Sequence, residues 1–114
     1  MHRVAITGIG IVSCLGCDVA SVGTALRAGE SGIVVDERRR ELGFRSPLTG
    51  RVRGFEPSTR LSRKQRKSMP DFAQQAYAAA LDALELSGLS LEDIGNPETG
   101  LIFGCDSSCT AIVE

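Results

Sequence analysis

The stretch VAITGIGIVSCLGCD, residues 4–18, supports three incompatible readings. Gly8, Gly10 and Gly16 suggest a phosphate-cradling loop between a strand and a helix. Cys14 and Cys17 form a C-x-x-C pair, the spacing of a redox or metal site. The apolar, β-branched run of residues 3–12 reads as a buried strand opening an α/β domain, because a parallel strand covered on both faces carries a nearly continuous apolar sequence. The rest of the chain decides among them.

The dinucleotide reading needs G-x-G-x-x-G directly after a strand, with pyrophosphate on the following helix. Gly8 and Gly10 fit, but Ser13 stands at the third glycine position. Asp36 and Glu37, the acidic residues at about the right separation, fall in the charge run DERRRE instead of ending a second strand. The metal reading can draw on a second pair, Cys105 and Cys109, and four thiolates can hold zinc tetrahedrally. That pair has a different spacing, and neither pair sits in a compact knuckle. The cysteines read as small residues filling tight positions beside glycines, so neither metal nor cofactor is expected.

The 114 residues have room for one domain with a modest core. A hydrophobic fraction of 42%, a charged fraction of 24% and a formal net charge of −1 describe an ordinary globular chain. They provide no overall field for nucleic acid, so any basic site must be local. No apolar run is long enough to span a bilayer, and MHRVAITGIG lacks the apolar core of a secretory signal. The expectation is a cytoplasmic protein with reduced thiols.

The order of elements reads as strand, helix, excursion, helix, strand, an α/β layout. Asp18 is a candidate N-cap for a helix with Val22, Ala25 and Leu26 on one face, stopped by Gly29. Residues 33–50 read as a solvated excursion with little regular structure beyond a short turn of helix, and RVRGF as a short strand. Phe72, Ala76, Ala80, Ala83 and Leu84 recur at helical spacing, with Pro70 breaking the segment near Met69 and Gly88 ending it. SLEDIG is a short capped turn or a loop, TGLIFGC a second buried strand, and DSSCTAIVE the start of another helix. Two strong strands leave open sheet edges, so the sequence reads as the front of a larger protein.

Chemistry is sparse. His2 is the sole histidine, so Ser107 and Ser108 have no evident general base. The segment RLSRKQRK holds Arg60, Arg63, Lys64, Arg66 and Lys67, five of the thirteen Lys and Arg residues. Charge alone leaves two readings open: a solvated helix face, or a docking surface for an anionic partner.

RVAITGIGIVSCLG followed by ALRAGESGI resembles the opening of the β-ketoacyl-acyl-carrier-protein synthases, which carry V-x-T-G-x-G-x-x-S-x-x-G and then L-x-x-G-x-S-G-I. LSRKQRKSMPDFAQQAYAAALDALELSGL resembles the family's next segment, and TGLIFGCDSS the strand after it. ELGFRSPLTGRV is most similar to the synthase I subgroup. The resemblance implies the N-terminal part of a layered α/β/α thiolase fold, with residues 1–114 the front portion of the family's N-terminal domain. On that pattern residues 3–12 and 99–104 are neighbouring strands with the 71–87 helix packed on them. The Gly8/Gly10 stretch is then the first core strand and its turn.

The resemblance also implies function. The family condenses acyl groups with malonyl-carrier protein by decarboxylative Claisen chemistry, in fatty acid or polyketide synthesis, without a cofactor. Its nucleophilic cysteine follows a D-x-A-C-x-S type sequence, and its histidines come later still. No residue here matches them, so no catalytic residue is expected in this chain. The implied partner is acyl carrier protein, received by Arg63, Lys64 and Lys67, with Arg66 added on charge. The implied assembly is a homodimer, or a heterodimer of a synthase with a non-catalytic chain-length-factor-like protein, with no nucleic acid or membrane partner. Cys105, Asp106 and Ser107 match positions in a glycine-rich segment lining the acyl pocket, where this chain carries bulkier, polar residues.

Overall fold

A computed structural model describes residues 3–105 of the chain. Five helices and one small sheet follow in order: α1 (Val19–Ala28), β1 (Ile33–Val35), α2 (Glu37–Glu41), β2 (Leu48–Gly50), a 3-10 turn (Pro57–Thr59), α3 (Arg63–Ser68), α4 (Asp71–Ser87) and α5 (Leu91–Ile94).

The expected strand at 3–12 is extended backbone without a ladder. Gly8 packs on the backbone of Ala83 and Ser87, and Gly10 on that of Ala79 and Ala83. Two residues of chain thus advance past four residues of helix. At about 3.3 Å per extended residue and 1.5 Å per helical residue the two lengths agree, so the segment runs extended and antiparallel to α4. The intended helix-on-strand layer is present, but neither 3–12 nor 99–104 pairs with another strand. The sole sheet among the described residues is β1–β2, antiparallel, with Ile33 opposite Gly50 and Val35 opposite Leu48. Val4 is 93% exposed and Ile102 97% exposed. Their sequence suits a sheet interior, and strand pairing needs partners that the described residues do not supply.

The excursion holds the expected short turn of helix, α2, and in addition the β1–β2 hairpin around it. Asp36 caps α2 through the Arg39 N–H at 3.3 Å, and its own N–H donates to the Pro47 carbonyl at 2.8 Å, which ties the helix into the hairpin. The strand lies at Leu48–Gly50 and not over RVRGF. Cys14 sits beside this hairpin. A side chain on Gly32 would strike the Cys14 sulfur at 2.6 Å, and one on Gly50 would approach it at 3.3 Å.

The helix boundaries follow local chemistry. The Asp18 carboxylate accepts from the Ser21 N–H at 2.8 Å, and Gly29 closes α1 at φ 68°, in the left-handed region that suits glycine. Val22 and Ala25 are buried, but Leu26 is exposed, so the apolar face is narrower than its spacing suggested. Pro70 separates α3 from α4, serving as the N-cap of α4. It removes an N–H donor, and Met69 before it is extended, as the proline ring requires. Within α4 the most buried residues are Gln74 and Ala78, while Phe72, Ala76, Ala80, Ala83 and Leu84 are half-buried. α5 carries a capping box between Ser90 and Asp93.

Candidate functional site

The residues from Ser13 to Asp18 exclude a phosphate loop. Ser13 and Gly16 close a tight antiparallel turn, with the Ser13 N–H on the Gly16 carbonyl at 2.8 Å, before the helix begins. The N-terminus of α1 is already occupied by the Asp18 carboxylate, which hydrogen bonds from Ser21 hold below its usual pKa. An anion there would face a fixed negative charge. Cys17 is no activated thiol either: it donates to the Arg53 carbonyl at 3.4 Å, and partial burial followed by the neighbouring Asp18 charge raises its pKa.

The basic segment forms a defined surface. Ser62 opens α3 with a reciprocal cap: Ser62 Oγ accepts from the Gln65 N–H, and Gln65 Oε1 accepts from the Ser62 N–H at 2.9 Å. On the helix that follows, Arg63 and Lys67 are one turn apart, and Lys64 neighbours Lys67 at the i, i+3 separation. All three are exposed, and none has an ion-pair partner among the described residues.

Arg66 and Arg60 are separate from that trio. Arg66 is half-buried, its Nε shielded from water without a hydrogen-bond partner among the described residues. Its charge contributes, after two hydrogen bonds from Ser58, to holding the Glu56 carboxyl below its usual pKa. Arg60 faces α4, with Nη2 2.9 Å from Asp82 Oδ1 and Nη1 3.4 Å from Glu85 Oε2. The Asp82 contact is a close ion pair and not an aligned hydrogen bond, since Oδ1 accepts none.

Two contacts that the sequence did not signal hold α3 against α4. Gln74 is buried, and its Nε2 donates to the Met69 carbonyl at 2.9 Å and the Arg66 carbonyl at 3.2 Å. Gln65 Nε2 donates to the Tyr77 hydroxyl at 3.2 Å. A glutamine in an alanine-rich helix has ordinary helix propensity, so its partner is visible only in the tertiary structure.

Of the expected acyl-pocket residues, Cys105 is exposed, while Asp106 and Ser107 lie outside the described residues. Among the described residues no cluster of His, Cys, Asp and Glu could hold a metal ion. No helix among them is long and apolar enough to cross a membrane.

The extended glycine segment packed on the alanine-rich helix is one part of the arrangement that the sequence resemblance implies for a condensing enzyme. The family model for the β-ketoacyl synthase N-terminal domain matches residues 1–113, and the chain belongs to that family. It is 38% identical over 104 residues to 3-oxoacyl-[acyl-carrier-protein] synthase 1 of Haemophilus influenzae, covering 91% of this chain and 25% of the relative. It is 35% identical over 113 residues to synthase 2 of Vibrio cholerae, covering 99% and 27%. Among solved structures, the ishigamide ketosynthase/chain length factor superposes with a TM-score of 0.66 at 32% identity, over 78% of this chain and 22% of the other. The fold is therefore the first part of the thiolase-like architecture. The chain spans about a quarter of the length of these relatives.

Proposed function

We propose that residues 1–114 are the front portion of the N-terminal domain of a 3-oxoacyl-[acyl-carrier-protein] synthase, and that their functional contribution is to receive the carrier protein. The observation that carries this reading is the trio Arg63, Lys64 and Lys67, exposed and without ion pairs among the described residues, on a helix held by polar contacts to α4. An acidic carrier meeting three fixed cations gains encounter rate and orientation. Arg66 belongs behind this face and supports it, since it is half-buried near Glu56.

The condensation itself, acyl transfer to a cysteine, decarboxylation of malonyl-carrier protein and Claisen attack, needs a pKa-lowered thiolate and an oxyanion hole. No residue of this chain matches the family's nucleophilic cysteine or its histidines, so the 114 residues by themselves are expected to be inactive, and the assembly that condenses is a dimer with acyl carrier protein as partner. Cys14 and Cys17 as thiols suit a reducing cytoplasmic setting. Cys105, with Asp106 and Ser107, would border the acyl pocket.

A second reading is a non-catalytic chain-length-factor-like partner, and the solved ketosynthase/chain length factor neighbour, whose name covers both kinds of subunit, supports it as much as the first. Release of CO2 from malonyl-carrier protein by the full-length form supports the synthase, and its absence until a second subunit is added supports the partner.

The docking reading is tested by carrier binding. Each exposed pair is worth about 0.2–1 kcal/mol. Single replacements should weaken binding slightly, and Arg63→Ala, Lys64→Ala and Lys67→Ala together strongly, with a steep loss as salt rises. A triple variant that binds as the parent does at low salt returns the segment to an ordinary solvated face.

A further inference from the structure

We infer that Gln74 is a positioning residue for the carrier-docking face, acting through the end of α3; this rests on the docking reading above. α3 spans only Arg63–Ser68. A helix this short is marginal in water without external support, and its last carbonyls have no intrahelical donors. Pro70 prevents the chain from supplying them by continuing the helix.

Gln74 supplies what is missing. Its side-chain amide, from one turn inside α4, donates to the Arg66 carbonyl at 3.2 Å and the Met69 carbonyl at 2.9 Å. The two bonds use both N–H groups of the amide. At 7% exposure Gln74 is the single buried polar side chain among the described residues. A shorter or apolar side chain there would leave two part-buried carbonyls without these donors. The bonded carbonyls flank Lys67 in sequence, so the contact fixes the backbone that carries this cation. Gln65 to Tyr77 makes a second, more exposed link near the start of the helix. The trio is exposed while Gln74 is buried, so the charges that recognise the carrier are held by a group that does not meet it.

Binding tests this because a positioning role and a loss of charge combine differently. Affinity for a purified acyl carrier protein is measured at low salt in the full-length form. The variants are Gln74→Leu, the Arg63/Lys64/Lys67→Ala triple, and the two combined, with helix content followed by circular dichroism. Gln74→Leu should weaken binding by about fivefold, the scale of losing one or two ordered hydrogen bonds. In the triple background it should have no further effect, since interaction energies appear only between groups acting together. Unchanged affinity in Gln74→Leu, or an undiminished effect in the triple background, overturns the inference. A triple variant that itself binds normally overturns the docking reading instead.

If Gln74→Leu loses its helical signal, Gln74→Glu decides the matter. At pH 8 its carboxylate faces two carbonyl oxygens without a donor. At pH 5.5 a carboxyl buried there takes up a proton and restores one bond. Carrier affinity relative to the parent should rise on acidification, and a flat ratio overturns the inference.

Discussion

Gly10 and Ala79 are in direct backbone contact: a Cβ on Gly10 would strike the Ala79 carbonyl, standing 2.7 Å from its carbon. No side-chain rearrangement relieves such a clash, because the obstacle is helix backbone. Gly10→Ala should cost about 3 kcal/mol, at the upper end of overpacking effects. Gly29→Ala offers an informative contrast. Nothing lies within 4 Å of that position, and its cost comes from φ 68° alone, about 1 kcal/mol. Chemical denaturation of the two variants should rank Gly10→Ala as the more severe, and the reverse order would contradict the packing of residues 3–12 on α4.

Arg60 ties the segment before α3 to the face of α4 that carries Asp82 and Glu85. Asp82 is 16% exposed at its side chain and Arg60 44%, so the pair is partly screened by water. Arg60→Ala should lower stability by about 1 kcal/mol. It should leave Asp82 the worse-solvated partner, so Arg60→Ala with Asp82→Asn recovers part of the loss. A double variant less stable than the sum of the singles would show that the contact is not an attractive pair.

Acid should attack the caps. Asp18, Glu56 and Asp93 all have lowered carboxyl pKa values, caused first by hydrogen bonds from the serines they bind, Ser21, Ser58 and Ser90. A carboxylate whose folded pKa is depressed adds stability above its unfolded value, and loses it as pH falls through the folded value. Stability should thus be flat above about pH 5 and fall below about pH 4. Asp18→Asn and Asp93→Asn together should reduce that acid sensitivity. A variant with an unchanged acid limb would remove these caps as its source.

Cys17 should be slow to alkylate. Burial and the Asp18 charge raise its pKa, which lowers the thiolate fraction at neutral pH. Iodoacetamide labelling followed by mass spectrometry should give a rate for Cys17 about threefold or more below that of a cysteine in an unstructured peptide. A faster rate would point to an activated thiol and reopen the C-x-x-C question.

What the sequence made legible and what it hid divide along the range of the interactions. The caps at Asp18, Gly29, Gly88 and Ser90 depend on neighbours a few residues away, and they were readable. So was the break at Pro70. The strand character of 3–12 was legible as composition but not as pairing, because a ladder needs a second strand and none pairs with it among the described residues. The β1–β2 hairpin was obscured by the arginine run between its strands, although Ile33–Val34–Val35 is itself a β-branched triplet. Gln74 was invisible, since a buried amide is recognised by the carbonyls it meets and not by its own surroundings in sequence.

The glycine contact with α4 also bears on how this chain can diverge. Between residues 3 and 12 the steric constraint is concentrated at Gly8 and Gly10, whose added side chains would enter helix backbone. Val4 and Ile6 keep most of their surface exposed and can exchange among apolar residues at little steric cost. Substitution should therefore accumulate around a fixed pair of glycines, and a search for distant kin would do better to weigh those two positions than the apolar letters between them.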